Sequence, residues 1–226
     1  MSPLRLILVI LITLIVLFLV LDLGGLLREP SPELEAARIV EIRDYEGEPL
    51  SSVADFRENS IKGPRFIEIE SYRLNITGDV VTPLSYSYEE IAGGLPTVGR
   101  VVTLYCVEGW DATIFWEGVR VTDLLDPAGP LPDADTVIFH AYDGYTTSLP
   151  LSYLRGREII LAHRMNGVTL PPERGYPFIL VAEDRWGYKW IRWVTEIELS
   201  REPGYRGYWE SRGFSQVADI NRSYFD

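Results

Sequence analysis

Residues 101–116 read Val-Val-Thr-Leu-Tyr-Cys-Val-Glu-Gly-Trp-Asp-Ala-Thr-Ile-Phe-Trp. Val101–Cys106 and Thr113–Trp116 are β-branched and aromatic runs, and the stretch between them carries a glycine turn at Gly109. Outward from this pair the pattern repeats. Thr136–Ala141 (TVIFHA), Glu158–Ala162 (EIILA), Phe178–Ala182 (FILVA) and Trp190–Leu199 (WIRWVTEIEL) are further strand candidates. Phe66–Glu70 (FIEIE) alternates apolar and acidic residues, as a half-exposed strand does. Turn signals at Glu117-Gly118, Asp126-Pro127, Asp143-Gly144, Asn166-Gly167 and Arg174-Gly175 separate the runs. Helical candidates are short. Ser87-Tyr88-Glu89-Glu90 forms a capping box, and Thr122–Leu125 and Ser152–Leu154 read as single turns. The pattern predicts one α+β domain over residues 41–226, dominated by mixed β-sheet.

Composition narrows the function. The chain has 226 residues and a formal net charge of −12. Nucleic-acid partners need clustered positive charge, so this balance argues against them. Cys106 is the only cysteine, so no intramolecular disulfide is possible and stability must come from the core. His140 and His163 are the only histidines, and neither sits in an H-x-x-x-H or H-E-x-x-H pattern, which argues against a dedicated zinc site. No G-x-G-x-x-G, Walker or G-x-S-x-G motif occurs.

The amino-terminal part is not globular in character. Leu6–Leu21 reads LILVILITLIVLFLVL without a charge. A helix over residues 4–27 would span roughly 36 Å at ~1.5 Å per residue, enough to cross a bilayer. Arg5 precedes the run, while Asp22, Glu29, Glu33 and Glu35 follow it, so the positive-inside rule places the domain outside the cytoplasm. No A-x-A-like cleavage site follows, which favours an uncleaved signal anchor over a removed signal peptide. Residues 28–40, with Pro30 and Pro32, read as a charged tether. The expected location is therefore the cell membrane, single-pass, with the domain extracytoplasmic.

Two features could carry chemistry. Cys106 closes a strand beside a glycine turn, where a thiolate can face a cleft and ligate a soft metal. On spacing alone, a small buried hydrophobe is the simpler reading of such a cysteine. The second feature is a cationic cluster in an acidic chain: Arg185, Lys189 and Arg192, interleaved with Trp186, Tyr188, Trp190 and Trp193. If a strand begins at Tyr188, Lys189 and Arg192 point to opposite faces. The turn at Gly187 could add backbone N–H groups around an anion. Solvated surface charge is the plain alternative, and the aromatic interleaving favours a phosphate-bearing ligand.

These stretches together resemble the sulfite-oxidase-type molybdopterin-binding family, which includes the catalytic subunit of the periplasmic methionine-sulfoxide reductase. Asn75–Leu84 (NITGDVVTPL) resembles the family's opening strand and turn. Leu104–Trp110 (LYCVEGW), continuing through Trp116–Val119 and Leu124-Leu125, is similar to its molybdenum-ligand segment. Ala162–Pro172 (AHRMNGVTLPP) with Arg174–Pro177 resembles its second signature, and Trp186–Trp193 (WGYKWIRW) its cofactor-phosphate segment. The likeness spans roughly residues 51–201.

The resemblance implies a sulfite-oxidase-like fold, a molybdenum–molybdopterin cofactor and oxygen-atom transfer, with a small sulfur oxo compound or similar molecule as substrate. Carried over residue by residue, it implies Cys106 as the thiolate ligand of the metal. Lys189, Trp190, Ile191 and Arg192 correspond to the stretch that holds the pterin and its phosphate. Arg174 falls where members often place His or Asn against the cofactor, and Arg57, Asn59 and Ser60 correspond to amino-terminal cofactor contacts. Asp143–Ser148, including Asp143 and Tyr145, with Trp110 and His163, would line the mouth and select the substrate. Electrons would pass to or from a separate redox protein in or on the membrane.

The chain departs from the family at Ile179. Many members carry arginine there, two residues after the proline, which speaks against anion binding at that point and against a simple sulfite oxidase. No twin-arginine pair precedes the apolar run in this sequence, and a fused haem domain is not expected. Two alternatives accompany this reading: a membrane-tethered binding module of the same fold without catalysis, and a reductase using another anionic cofactor. The presence of Cys106 argues against the first.

Overall fold

A computed structural model describes residues 30–225 of the chain. The apolar segment at residues 4–27, read as a membrane anchor, lies outside the described residues. Among the described residues no helix is long and apolar enough to cross a membrane.

The described chain opens with helix α1 (Pro32–Val40), in the stretch read from sequence as a tether. Pro32 occupies the first helical position, where a missing N–H and a fixed φ cost nothing. Glu33 and Glu35 in the first turn and Arg38 in the last suit the helix dipole, and Leu34 and Ala37 are buried. A small hairpin follows, β1 (Asp44–Tyr45) with β2 (Glu48–Pro49). Then come β3 (Leu74–Gly78), β4 (Leu84–Tyr86), α2 (Tyr88–Ala92), β5 (Val98–Tyr105) and β6 (Asp111–Arg120). After α3 (Val121–Leu125) the chain forms β7 (Thr136–Ala141), β8 (Thr146–Pro150), α4 (Leu151–Gly156) and β9 (Ile160–Met165). The last strands are β10 (Val168–Thr169), β11 (Ile179–Val181) and β12 (Val194–Ser200).

Two five-stranded sheets result. One runs β10-β9-β6-β5 with β11 also on β9, and all its pairings are antiparallel. The other runs β4-β3-β12-β7-β8 and is mixed, since β12 pairs parallel to β3 and antiparallel to β7. The sheet-rich α+β architecture expected from the turn-punctuated β runs is therefore what the residues form.

Local chemistry explains the main pairings. In β6, Ala112, Ile114, Phe115, Trp116 and Val119 are all buried, so both faces of this strand are covered. Its register against β9 shifts between Glu117 and Gly118. Only glycine fits there, because a Cβ at Gly118 would lie 2.2 Å from the Leu161 carbonyl oxygen. The capping box at α2 forms as expected. Ser87 Oγ accepts from the Glu90 amide, and Glu90 Oε2 accepts from the Ser87 amide at 2.7 Å.

Two strand expectations fail. Phe66–Glu70 alternates in exposure but joins no ladder; Ile67 and Ile69 pack on the core as an irregular segment. Alternation predicts a two-sided surface, whereas a strand also needs a partner edge. The run at Trp190–Leu199 becomes strand only from Val194. Trp193 takes a positive φ of 57°, which breaks the extended chain, and Gly187–Lys189 forms a 3-10 turn.

Candidate active site

A cavity of about 310 Å³ opens where the end of β5, the segment at residues 56–61, the turn at residues 187–193 and the carboxyl-terminal stretch meet. Its wall includes Cys106, the residue directly after β5. A tight turn holds that position: the Cys106 amide donates to the Trp110 carbonyl at 2.9 Å, and the Gly109 amide to the Cys106 carbonyl at 3.0 Å. Gly109 has φ 82°, the left-handed region that glycine tolerates best. The strand end thereby points the Cys106 side chain into the cavity wall.

Cys106 Sγ accepts from Asn59 Nδ2 at 3.6 Å. Asn59 Oδ1 in turn accepts from Arg192 Nη2 at 2.8 Å. Burial pushes the Cys106 thiol up, while the Glu108 amide, Asn59 and the nearby Arg192 charge pull it down. Burial prevails, so the thiol is held protonated.

Three arginines line this cavity, and two of them, Arg174 and Arg192, are withdrawn from solvent. Arg192 Nη1 donates to the Glu173 carbonyl at 3.1 Å, and it lies 3.6 Å from the Glu58 carboxylate. Arg174 is buried, and its Nε donates to the Val53 carbonyl at 2.6 Å. Its Nη1 has no hydrogen-bond partner among the described residues. Burial, with Arg192 beside it, pulls the Arg174 guanidinium down to about 10. The Ser60 hydroxyl, also at the cavity, is buried without a partner among the described residues. Such groups mark where a polar ligand would be solvated by protein. Arg57 lines the same wall with an exposed side chain.

The turn at residues 187–193 forms another wall. Trp190 and Ile191 line the cavity. The Trp190 indole donates to the Arg185 carbonyl at 3.0 Å, and Trp193 to the Pro172 carbonyl at 2.8 Å. Lys189 does not join them. The strand expected from Tyr188 would have alternated Lys189 and Arg192; the 3-10 turn instead sends the fully buried Lys189 ammonium to Glu210 Oε1 at 2.5 Å and to the Ser148 carbonyl at 2.9 Å.

Asp143 and Tyr145 both line the cavity. Asp143 Oδ1 accepts from the Tyr145 amide at 2.9 Å, and its carbonyl accepts from Lys62 at 2.5 Å. The Tyr145 hydroxyl donates to the Tyr188 carbonyl at 2.5 Å, and burial holds it well above the usual phenol range. Trp110 lines the cavity as expected, but His163 does not. It is buried in the core against Tyr88 and Phe178, away from the mouth. Thr147 and Ser148 are also buried, Thr147 bonded to Glu210.

Sequence reading missed Phe56, Trp209 and Phe214 on the wall, and Glu210 behind it. The aromatic density of residues 205–225 was a signal for a packed wall. A buried glutamate at position 210 left no trace in local pattern.

Residues 61–209 match the family model described as the oxidoreductase molybdopterin binding domain. The chain belongs to this molybdopterin-binding oxidoreductase family. The domain is 31% identical over 157 residues to an uncharacterized oxidoreductase, YuiH, of Bacillus subtilis (strain 168), covering 69% of this chain and 78% of that protein. It is 32% identical over 152 residues to a putative protein-methionine-sulfoxide reductase subunit, YedZ1, of Azospira oryzae, covering 67% of this chain and 57% of that protein. The fold is shared with the sulfane dehydrogenase SoxCD from Paracoccus pantotrophus, with TM-score 0.63 and 20% identity over 84% of this chain and 56% of that one. The family is the sulfite-oxidase type read from the sequence motifs. The oxidoreductase domain is a molybdenum enzyme of the sulfite oxidase and sulfoxide reductase type, and its cofactor is molybdopterin with molybdenum. The residues at the cavity fit that group. A thiol suits a metal held by sulfur ligands, and a buried guanidinium with a donor unmet among the described residues suits an anionic pterin phosphate.

Proposed function

We propose that this domain catalyses oxygen-atom transfer on a small sulfur oxo compound, with Cys106 as the protein ligand of molybdenum. The observation that carries the reading is the linked set Cys106–Asn59–Arg192, next to Arg174, whose Nη1 has no partner among the described residues. Two-electron redox chemistry is what the bound molybdenum centre supplies. The chain's own residues do the rest. Cys106 would hold the metal as a thiolate, and the Asn59 amide, which already donates to Sγ, would fix that sulfur and tune it. Arg174 and Arg192 offer N–H donors to the anionic end of the pterin, with Ser60, Arg57 and the backbone of Trp190 and Ile191 beside them. Asp143 and Tyr145 border the remaining opening, where the Tyr145 phenol stays protonated and polar.

The sulfur oxo substrate is favoured because a curated relative carries a methionine-sulfoxide reductase name. We further propose that residues 4–27 anchor the domain to the cell membrane on its extracytoplasmic side, and that a separate electron-transfer protein exchanges electrons with it. Metal and pterin analysis of purified protein, followed by reduction assays on sulfoxides and oxidation assays on sulfite, tests the chemistry. Full molybdenum content with no turnover in either direction would instead favour a binding module that has lost catalysis. Protease protection in spheroplasts tests the topology, since a domain resistant from outside refutes the anchor's orientation.

A further inference from the structure

We infer that Glu210 is a positioning residue for the cofactor cradle, acting through Lys189. This rests on the reading that the Cys106 cavity holds the cofactor.

Lys189 is flanked by cavity-lining residues on both sides, Tyr188 and Trp190, yet its own side chain leaves the cavity. The ammonium meets Glu210 Oε1 at 2.5 Å in a pair whose side chains are both fully buried. Thr147 Oγ1 donates to the same carboxylate oxygen at 2.5 Å, and Arg206 Nη1 donates to the Glu210 carbonyl at 3.1 Å. Glu210 therefore sits at a junction of three chain segments.

What the junction holds is the cavity itself. On one side is the turn at residues 187–193. A Cβ at Gly187 would lie 3.2 Å from the Tyr105 carbonyl oxygen and 3.5 Å from Cys106 Cα, so this turn rests directly on the backbone that presents the thiol. On the other side, Trp209 and Phe214 line the cavity from the carboxyl-terminal stretch. That stretch lies tight on β8: the Tyr208 amide donates to the Thr146 carbonyl at 2.9 Å, and a Cβ at Gly207 would approach that oxygen to 2.2 Å. The family match ends at residue 209, one position before Glu210.

A buried ion pair is a poor source of net stability, because desolvation offsets its attraction. Its value is directional. Either partner alone would be a buried uncompensated charge, so the pair admits one arrangement of the two segments. Lys189, whose sequence position suggested cofactor phosphate, is by this geometry spent on Glu210. Partners that orient metal-binding elements commonly shift affinity by about 10–100-fold when removed.

The test compares Glu210→Gln, Lys189→Met and Thr147→Val in the full chain. Two readouts are used: molybdopterin retained per folded molecule, and the alkylation rate of Cys106 by iodoacetamide in cofactor-free protein. Thr147→Val removes one hydrogen bond without stranding a charge, and keeps the test readable if the other variants do not fold. Glu210→Gln and Lys189→Met should lose cofactor to a similar extent, about tenfold or more, with faster Cys106 alkylation; Thr147→Val should shift both readouts less, in the same direction. Cofactor loss in Lys189→Met with full retention in Glu210→Gln would overturn the inference, because Lys189 would then touch the cofactor itself. Full retention and unchanged alkylation in Thr147→Val and in every folded charge variant would also overturn it. Failure of the underlying reading looks different: the Cys106→Ser variant would retain molybdopterin as well as the wild-type protein does, with its metal signal unchanged.

Discussion

Replacing Arg174 with methionine should change stability in opposite directions with and without cofactor. Burial, with Arg192 alongside, lowers the guanidinium from its ordinary 12.5 to about 10. At ~1.4 kcal/mol per tenfold, keeping the cation in the cofactor-free site costs about 3 kcal/mol. Arg174→Met removes that cost and keeps most of the volume beside Phe56, whose ring lies 5.7 Å from the guanidinium carbon. It also strands the Val53 carbonyl, which accepts from Nε at 2.6 Å, at a cost of about 1–3 kcal/mol. The cofactor-free variant should thus range from unchanged to about 2 kcal/mol more stable. In loaded protein the sign reverses, because a charge-assisted contact worth about 1.5–3 kcal/mol disappears. Urea unfolding of both forms, with pterin content measured before and after dialysis, reads the two arms. Cofactor-free Arg174→Met destabilised by more than about 2 kcal/mol would show that Arg174 is a satisfied structural residue, and the reasoning would fail.

Three further outcomes are expected. Cys106→Ser should fold with a loss of about 1–3 kcal/mol, while redox turnover collapses and the Mo(V) paramagnetic signal loses its sulfur-ligated character; normal turnover with an unchanged signal would refute ligation. Arg192→Ala should weaken cofactor retention by about 1.5–3 kcal/mol and leave Asn59 without its guanidinium donor, which dialysis and pterin analysis can measure. His163 is held below its ordinary 6.5 by burial and by Arg164, and its Nε2 has no hydrogen-bond partner among the described residues. Its neutral form is the folded one, so the unfolded chain binds the extra proton first. Stability should be unaffected by this group above about pH 6.5 and should fall as pH drops below it, until the lowered folded value is reached. His163→Phe should flatten that fall in urea midpoints taken between about pH 7.5 and 5.5, and an equally steep fall in the variant would exclude His163 as its source.

Much of the domain was legible in the chain because its signals are local. The β-branched runs at Val101–Cys106 and Thr136–Ala141, the Ser87 capping box and the glycine after Cys106 each depend on residues within a few positions, and each appears where it was read. The order of the four motifs carried the family and its cofactor, since motif order survives without knowledge of contacts. Composition alone also set aside nucleic-acid partners, as charge needs no fold to be counted.

Tertiary structure decided the rest. The run at Trp190–Trp193 is as β-prone as the strand that follows it, yet it forms a wall, because its indoles find acceptors at Arg185 and Pro172 and Trp193 takes a positive φ. Phe66–Glu70 has a strand's alternation and no partner edge. Residues 32–40 became a helix because the core offered Leu34 and Ala37 a place to bury. Lys189 and Arg192 looked alike in sequence, three positions apart in one basic cluster. They separate because Glu210, from the far end of the chain, takes the first, while Asn59, from near its start, takes the second. A side chain's partner across 21 or 133 positions leaves no periodicity to read. The Lys189–Glu210 pair exists only once the backbone has brought both charges into the same low-dielectric interior, where an unpaired one could not remain, and the Arg192–Asn59 bond only once distant segments meet at the cavity wall.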